Sequence, residues 1–115
     1  MNVLTRKISE GDQMFSVTLI EIENAVLAFY TVAESPKLGT LAIAIPQPKS
    51  EPSVSSVLLG ERNNILTKIL AERLSQNFNK ITMASTHLDK ISDTQSGKIL
   101  LQLTQQICTP DAKAN

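Results

Sequence analysis

SVSSVLLGERNNILTKILAERLSQNFNKITMASTHL, residues 53–88, decides the fold. A run rich in Val, Leu and Ser, residues 54–59, stops at Gly60, and another extended run, residues 81–87, follows a longer segment of different period. In that segment Ile65, Leu66, Ile69, Leu70, Leu74 and Phe78 recur at spacings of three and four, which places a stripe on one side of a 3.6-residue helix. Arg62, Lys68, Glu72, Arg73 and Gln76 take much of the other side, so the helix has one face in water and one on a sheet. Asn63 or Asn64 can cap it, and Asn77 or Asn79 can end it.

Working outward, residues 2–8 alternate weakly and suit an edge strand, and Gly11 and Asp12 punctuate the chain after them. MFSVTLIEI, residues 14–22, and AVLAFYTV, residues 25–32, are rich in β-branched and aromatic side chains and read as strands joined by a tight turn at Glu23 and Asn24. LAIAI, residues 41–45, is a strand with large residues on one face and alanines on the other. Three prolines in residues 46–53 keep that loop out of any central strand. Beyond the deciding stretch, Ser92, Asp93, Thr94 and Gln95 spell a capping box for a second helix, whose buried stripe is Ile99, Leu100, Leu103 and Ile107.

The predicted fold class is α+β: a two-layer domain with a mostly antiparallel sheet of about six strands and two α-helices packed on one face. Residues 1–108 are read as one domain and residues 109–115, TPDAKAN, as a flexible C-terminal tail. If both helices lie on the same side, the strands at 25–32 and 41–45, apolar on both faces, leave an uncovered apolar surface larger than monomers usually tolerate. That surface is expected to bind a protein partner. Val26, Ala28, Tyr30, Ala42 and Ala44 are assigned to it, because small residues at 42 and 44 let another layer approach closely; a one-residue slip of register would send the opposite set outward.

At 115 residues the chain has the size of a single domain. Eleven basic residues balance eleven acidic ones, and no cluster of Lys or Arg forms, which argues against nucleic acid or an anionic membrane as partner. Cys108 is the only cysteine, so neither an intramolecular disulfide nor a multi-cysteine metal site can form. The first residues lack the apolar core of a secretory signal, and no apolar run reaches the roughly 18 residues of a membrane span. A soluble intracellular protein is the expectation.

A search for chemistry returns bland readings. His87 is the only histidine, so a zinc pair of histidines is excluded, and a His87–Cys108 dyad competes with a polar strand-end histidine and a packing cysteine. Ser85 and Thr86 neighbour His87 in a strand, where adjacent side chains point to opposite faces. QSGK, residues 95–98, lacks the upstream glycine of a phosphate-binding loop, and Gly60 alone makes a turn rather than a cradle. Glu21 and Glu23 read as a solvated pair. Phe15, Phe29, Tyr30 and Phe78 are not interleaved with basic residues, as a base-stacking platform would require. No catalytic, cofactor or metal residue is assigned, and the chain is expected not to be an enzyme.

Several of these segments, taken in order, resemble the proteasome assembly chaperone 4 family. The likeness rests on Leu70-Ala71-Glu72-Arg73-Leu74, then Asn79-Lys80, then a strand that contains Ser85 and ends at Leu88. Upstream it includes Val54-Ser55-Ser56-Val57-Leu58-Leu59-Gly60 and, over residues 17–45, a strand, a tight turn, an apolar strand, a Pro-containing loop and a Leu-Ala-Ile-Ala strand. It covers residues 14–107. The resemblance implies a non-enzymatic chaperone that forms a heterodimer with a proteasome assembly chaperone 3-like protein and holds a 20S proteasome α-type subunit while the α-ring is ordered. It also implies a cytoplasmic location, with the nucleus as a second compartment. Lys49, Ser50, Glu51 and Pro52 in the Pro-rich loop are the candidate client contact. The competing reading is a generic α+β dimerisation or adaptor module that self-associates through a sheet edge and has no proteasome role.

Overall fold

The structure, a computed structural model, describes residues 1–33, 35–48, 50–52, 54–89 and 91–108. Over these residues the chain forms β1 (Asn2–Glu10), β2 (Gln13–Glu21), β3 (Ala25–Thr31), β4 (Thr40–Ile45), β5 (Val54–Leu59), α1 (Asn64–Phe78), β6 (Ile81–His87) and α2 (Asp93–Ile107). The six strands make one sheet in the order β1-β2-β3-β6-β4-β5. Every neighbouring pair is antiparallel except β3 and β6, which run parallel, so the predicted α+β class and mostly antiparallel sheet are observed. Residues 109–115, the predicted tail, lie outside the described residues.

Local chemistry explains the connections. Gly11 and Asp12 close the β1–β2 hairpin, with Gly11 at φ 62°, a conformation that a two-residue turn favours and glycine adopts without penalty. The β2–β3 turn is one residue longer than the Glu23-Asn24 pair: it spans residues 22–24, and the Ile22 N–H donates to the Ala25 carbonyl at 2.9 Å. Gly60, at φ 96°, ends β5 where a Cβ would stand 2.6 Å from the Thr40 backbone, so any side chain there forces β4 and the turn apart. Asn79, at φ 55°, ends α1 in the left-handed conformation that asparagine tolerates. The Ser92–Gln95 capping box starts α2 as predicted: the Gln95 N–H donates to Ser92 Oγ and the Ser92 N–H to Gln95 Oε1, each at 3.3 Å.

Both helices pack on the same side of the sheet. α2 crosses β1 and β2, α1 crosses β4, β6 and β5, and the helices touch each other. Phe15, Val17, Leu19, Val26 and Tyr30 from the strands meet Leu66, Leu70 and Leu74 of α1 and Ile99, Leu100, Leu103 and Ile107 of α2 in the main core. Leu70, Leu74, Leu100 and Leu103 are completely buried, and truncating any one to alanine would cost about 2–5 kcal/mol.

The α1 stripe is rotated from its predicted position. Leu66, Thr67, Leu70, Ala71, Leu74 and Ser75 are buried, while Ile65 is 71% and Ile69 39% exposed. The cause lies in the strip underneath: Ala42, Ala44 and Ala84 form a shallow floor, and Ala71 completes a second small core with them. Small side chains on both sides bring helix and sheet together, so α1 presents Thr67, Ala71 and Ser75 to the floor and turns two isoleucines outward. Of the buried hydroxyls in this contact, that of Thr67 is satisfied, whereas Ser75 Oγ has no hydrogen-bond partner among the described residues. Thr67 Oγ1 donates to the Asn63 carbonyl at 2.7 Å and stands 2.7 Å from Thr86 Oγ1 on β6. Asn63 does not cap α1 with its side chain; instead its Nδ2 donates to Asp93 Oδ1 at 2.5 Å, tying the starts of the two helices together.

Candidate functional site

The register assigns each strand residue to a face. Val17, Tyr30, Thr86 and Thr40 lie side by side across β2, β3, β6 and β4, as do Leu19, Ala28, Ala84 and Ala42, and these rows face the helices. Val26, Ala28, Tyr30, Ala42 and Ala44, assigned from sequence to the partner surface, therefore belong to the covered side, where each is at most 1% exposed. This corrects that assignment. The alanines do admit a close layer, but the layer is the chain's own α1. Tyr30 is held by α2, its phenol 2.5 Å from Thr104 Oγ1, which in turn donates to the Leu100 carbonyl at 2.8 Å. With that proton used, the phenol is the donor, and burial pushes its pKa above the ordinary tyrosine value.

The opposite parity faces away from both helices. One row runs across the whole sheet as Val3, Ile20, Leu27, Met83, Ile43 and Ser56. The next runs as Thr5, Thr18, Phe29, Ser85, Leu41 and Leu59. Neither row contains a charged residue. Ile81, Ile45 and Val54 extend the apolar area toward the other end of the sheet and are 43–45% exposed. At the end near His87 the surface becomes polar and is partly closed by the β3–β4 connection. There Ser16 Oγ donates to the Ala33 carbonyl at 3.0 Å and the Gly39 N–H donates to Ser85 Oγ at 2.8 Å. The uncovered apolar face expected from the sequence is thus present, built from Ile20, Leu27, Phe29, Leu41, Ile43 and Met83.

The remaining candidates are dispersed. His87 lines a depression with Gly39, Gly60, Arg62 and Asp89, whereas Cys108 lines a separate groove between the helices with Arg73, Lys98 and Leu101. The Cys108 thiol is pushed up by burial, the opposite of what activates a nucleophile. Glu21 is paired, its carboxylate accepting from Lys80 Nζ at 2.8 Å, which holds it below the usual carboxylate range; Glu23 is exposed in the turn. Ser50, Glu51 and Pro52 are exposed, with the Glu51 N–H donating to the Pro48 carbonyl at 2.9 Å, and Lys49 lies outside the described residues. No described helix is long and apolar enough to cross a membrane.

The arrangement offers a broad, uncharged apolar surface on a rigid sheet, suited to packing against another protein layer. No family model and no curated protein matches the chain. Its fold is shared by a chain of the novel chaperone complex for yeast 20S proteasome assembly, with a TM-score of 0.67 at 15% sequence identity, over 98% of this chain and 95% of that one.

Proposed function

We propose that the chain is a non-catalytic assembly chaperone for the 20S proteasome, acting in the cytoplasm and nucleus. It pairs through its open sheet face with a related small chaperone of the proteasome assembly chaperone 3 type. The heterodimer holds an α-type subunit while the α-ring is built. The observation that carries this reading is the uncharged row Val3, Ile20, Leu27, Met83, Ile43 on a fold shared with a chain of a yeast 20S assembly chaperone complex. The motifs of residues 70–88 support it independently of the fold.

The physics of such an interface is simple. Two sheets stack face to face about 10 Å apart, interdigitating side chains that otherwise stay in water, and a stable pair buries about 1,200–2,000 Å² in total. Function then follows from selective binding: a held α subunit is kept from wrong neighbours, which raises the share of correctly closed rings without covalent chemistry.

Co-expression with a chaperone 3-type protein tests the proposal. A 1:1 complex that melts well above either isolated chain and retains α-type subunits in a pull-down is expected. Retention of no α-type subunit would leave the adaptor reading in its place.

A further inference from the structure

On the helix layer, away from the open face, α1 and α2 are tied at their starts and leave a groove beyond the tie. Asn63 Nδ2 holds Asp93 Oδ1 there, and a Cβ on Gly97 would stand only 3.9 Å from Leu66 Cδ1. Further along, residues 73–79 and 98–108 line a groove of about 1110 Å³, with Leu101 and the Cys108 thiol as its apolar part. That volume exceeds the usual range of small-molecule pockets, up to about 1,000 Å³, and suits a length of chain.

The lining departs from the rest of the chain in two ways. Six of its eleven described residues are Asn or Gln, residue types that supply fourteen of the 115 in the sequence. None of the eleven is acidic, while Arg73 and Lys98 are both exposed cations that make no ion pair among the described residues. The acids adjacent on the helices are engaged elsewhere: Glu72 accepts from Ser55 Oγ over β5, and Asp93 from Asn63 at the tie. In a chain whose charges balance, the groove is therefore a local positive site. A carboxamide both donates and accepts, so Asn77 and Gln102 can match the alternating N–H and C=O groups of an extended backbone, and the two cations favour a carboxylate carried on it.

We propose that this groove between α1 and α2 is the client site, and that its occupant is an extended, acidic segment of the α-type subunit. The segment's carboxylates lie against Arg73 and Lys98, its backbone meets Asn77 and Gln102, and Leu101 takes an apolar side chain. Charge complementarity identifies the occupant: a groove with two cations and no acid attracts a negative segment and repels a positive one. This inference deepens the assembly-chaperone reading and rests on it. Because the groove and the open face lie on opposite sides of the molecule, partner and client are held at the same time.

The test uses the chain co-purified with its chaperone partner, with each purified 20S α-type subunit as probe. It compares wild type with the Arg73→Glu, Lys98→Glu double variant and with Arg6→Glu on β1, a charge reversal outside the groove. The expected result is that the double variant keeps the 1:1 heterodimer and loses at least tenfold in affinity for the α subunit, while Arg6→Glu binds as wild type does. Wild-type affinity falls as salt rises from about 50 to 500 mM, and that of the double variant does not. Undiminished affinity in the double variant, an equal loss in Arg6→Glu, or a wild-type affinity indifferent to salt overturns the groove site while leaving the chaperone reading intact. Failure of the wild-type heterodimer to bind any α-type subunit overturns both.

Discussion

Ala84 of β6 stands directly beside Ala42 of β4, both without solvent exposure, and Ala71 of α1 packs onto the pair. This contact sets how closely α1 approaches the sheet and which of its sides turns inward. Enlarging it is costly. Ala84→Leu is expected to lose about 1–3 kcal/mol by overpacking, read as a lower urea midpoint in equilibrium unfolding. The same enlargement at Ala25, on the open face, should leave the midpoint nearly unchanged.

Tyr30 gives the fold a pH dependence at the alkaline end. Its phenol keeps its proton in the native state beyond the pH at which an unfolded tyrosine loses it, about 10. Stability is therefore full below about pH 10 and falls as pH rises above it, because the unfolded chain alone releases the proton. Tyr30→Phe removes this slope and the bond to Thr104, at a cost of about 0.5–1.5 kcal/mol near neutrality. Urea unfolding at several pH values between about 7 and 11 checks both parts.

Glu21 works in the other direction and weakly. Lys80 lowers its pKa in the folded state, so the pair contributes above the unfolded glutamate value and fades as pH falls through the folded one. Both side chains are about a quarter exposed, which limits the contribution to less than about 1 kcal/mol. Glu21→Gln should flatten the acid limb of the stability curve slightly, with an effect on stability that shrinks as pH falls through the folded-state pKa.

Ser92 should repay substitution more clearly. Ser92→Ala removes the acceptor for the Gln95 N–H and is expected to cost about 1 kcal/mol. Amide exchange should quicken in the first turn of α2 before it does elsewhere.

Much of this architecture was legible in the sequence, and the failures share one cause. Strand positions, the capping box and the α2 stripe could be read because each rests on local period or cap chemistry. The facing of the sheet could not. In AVLAFYT and LAIAI both parities are apolar, so alternation does not say which set looks inward, and the small residues at 42 and 44 fit an outside layer as well as an inside one. That layer is α1, and the same alanine floor rotated Ile65 and Ile69 outward, against the helical stripe. The parallel pairing of β3 with β6 likewise depends on where α1 returns the chain, which no residue type encodes. What did survive the exchange of faces is the surplus: one side of the sheet lacks a cover whichever parity is inside.

The central claim is that this uncovered side is the partner interface, and Leu27→Glu combined with Ile43→Glu tests it most directly. Both residues flank Met83 in the row crossing the sheet, and neither touches the helix-covered core. Light scattering after size exclusion, on each form mixed with the chaperone 3-type protein, is the measurement. The account predicts a 1:1 complex for wild type and two separate, folded monomers for the double variant. An undiminished complex in the double variant would contradict it.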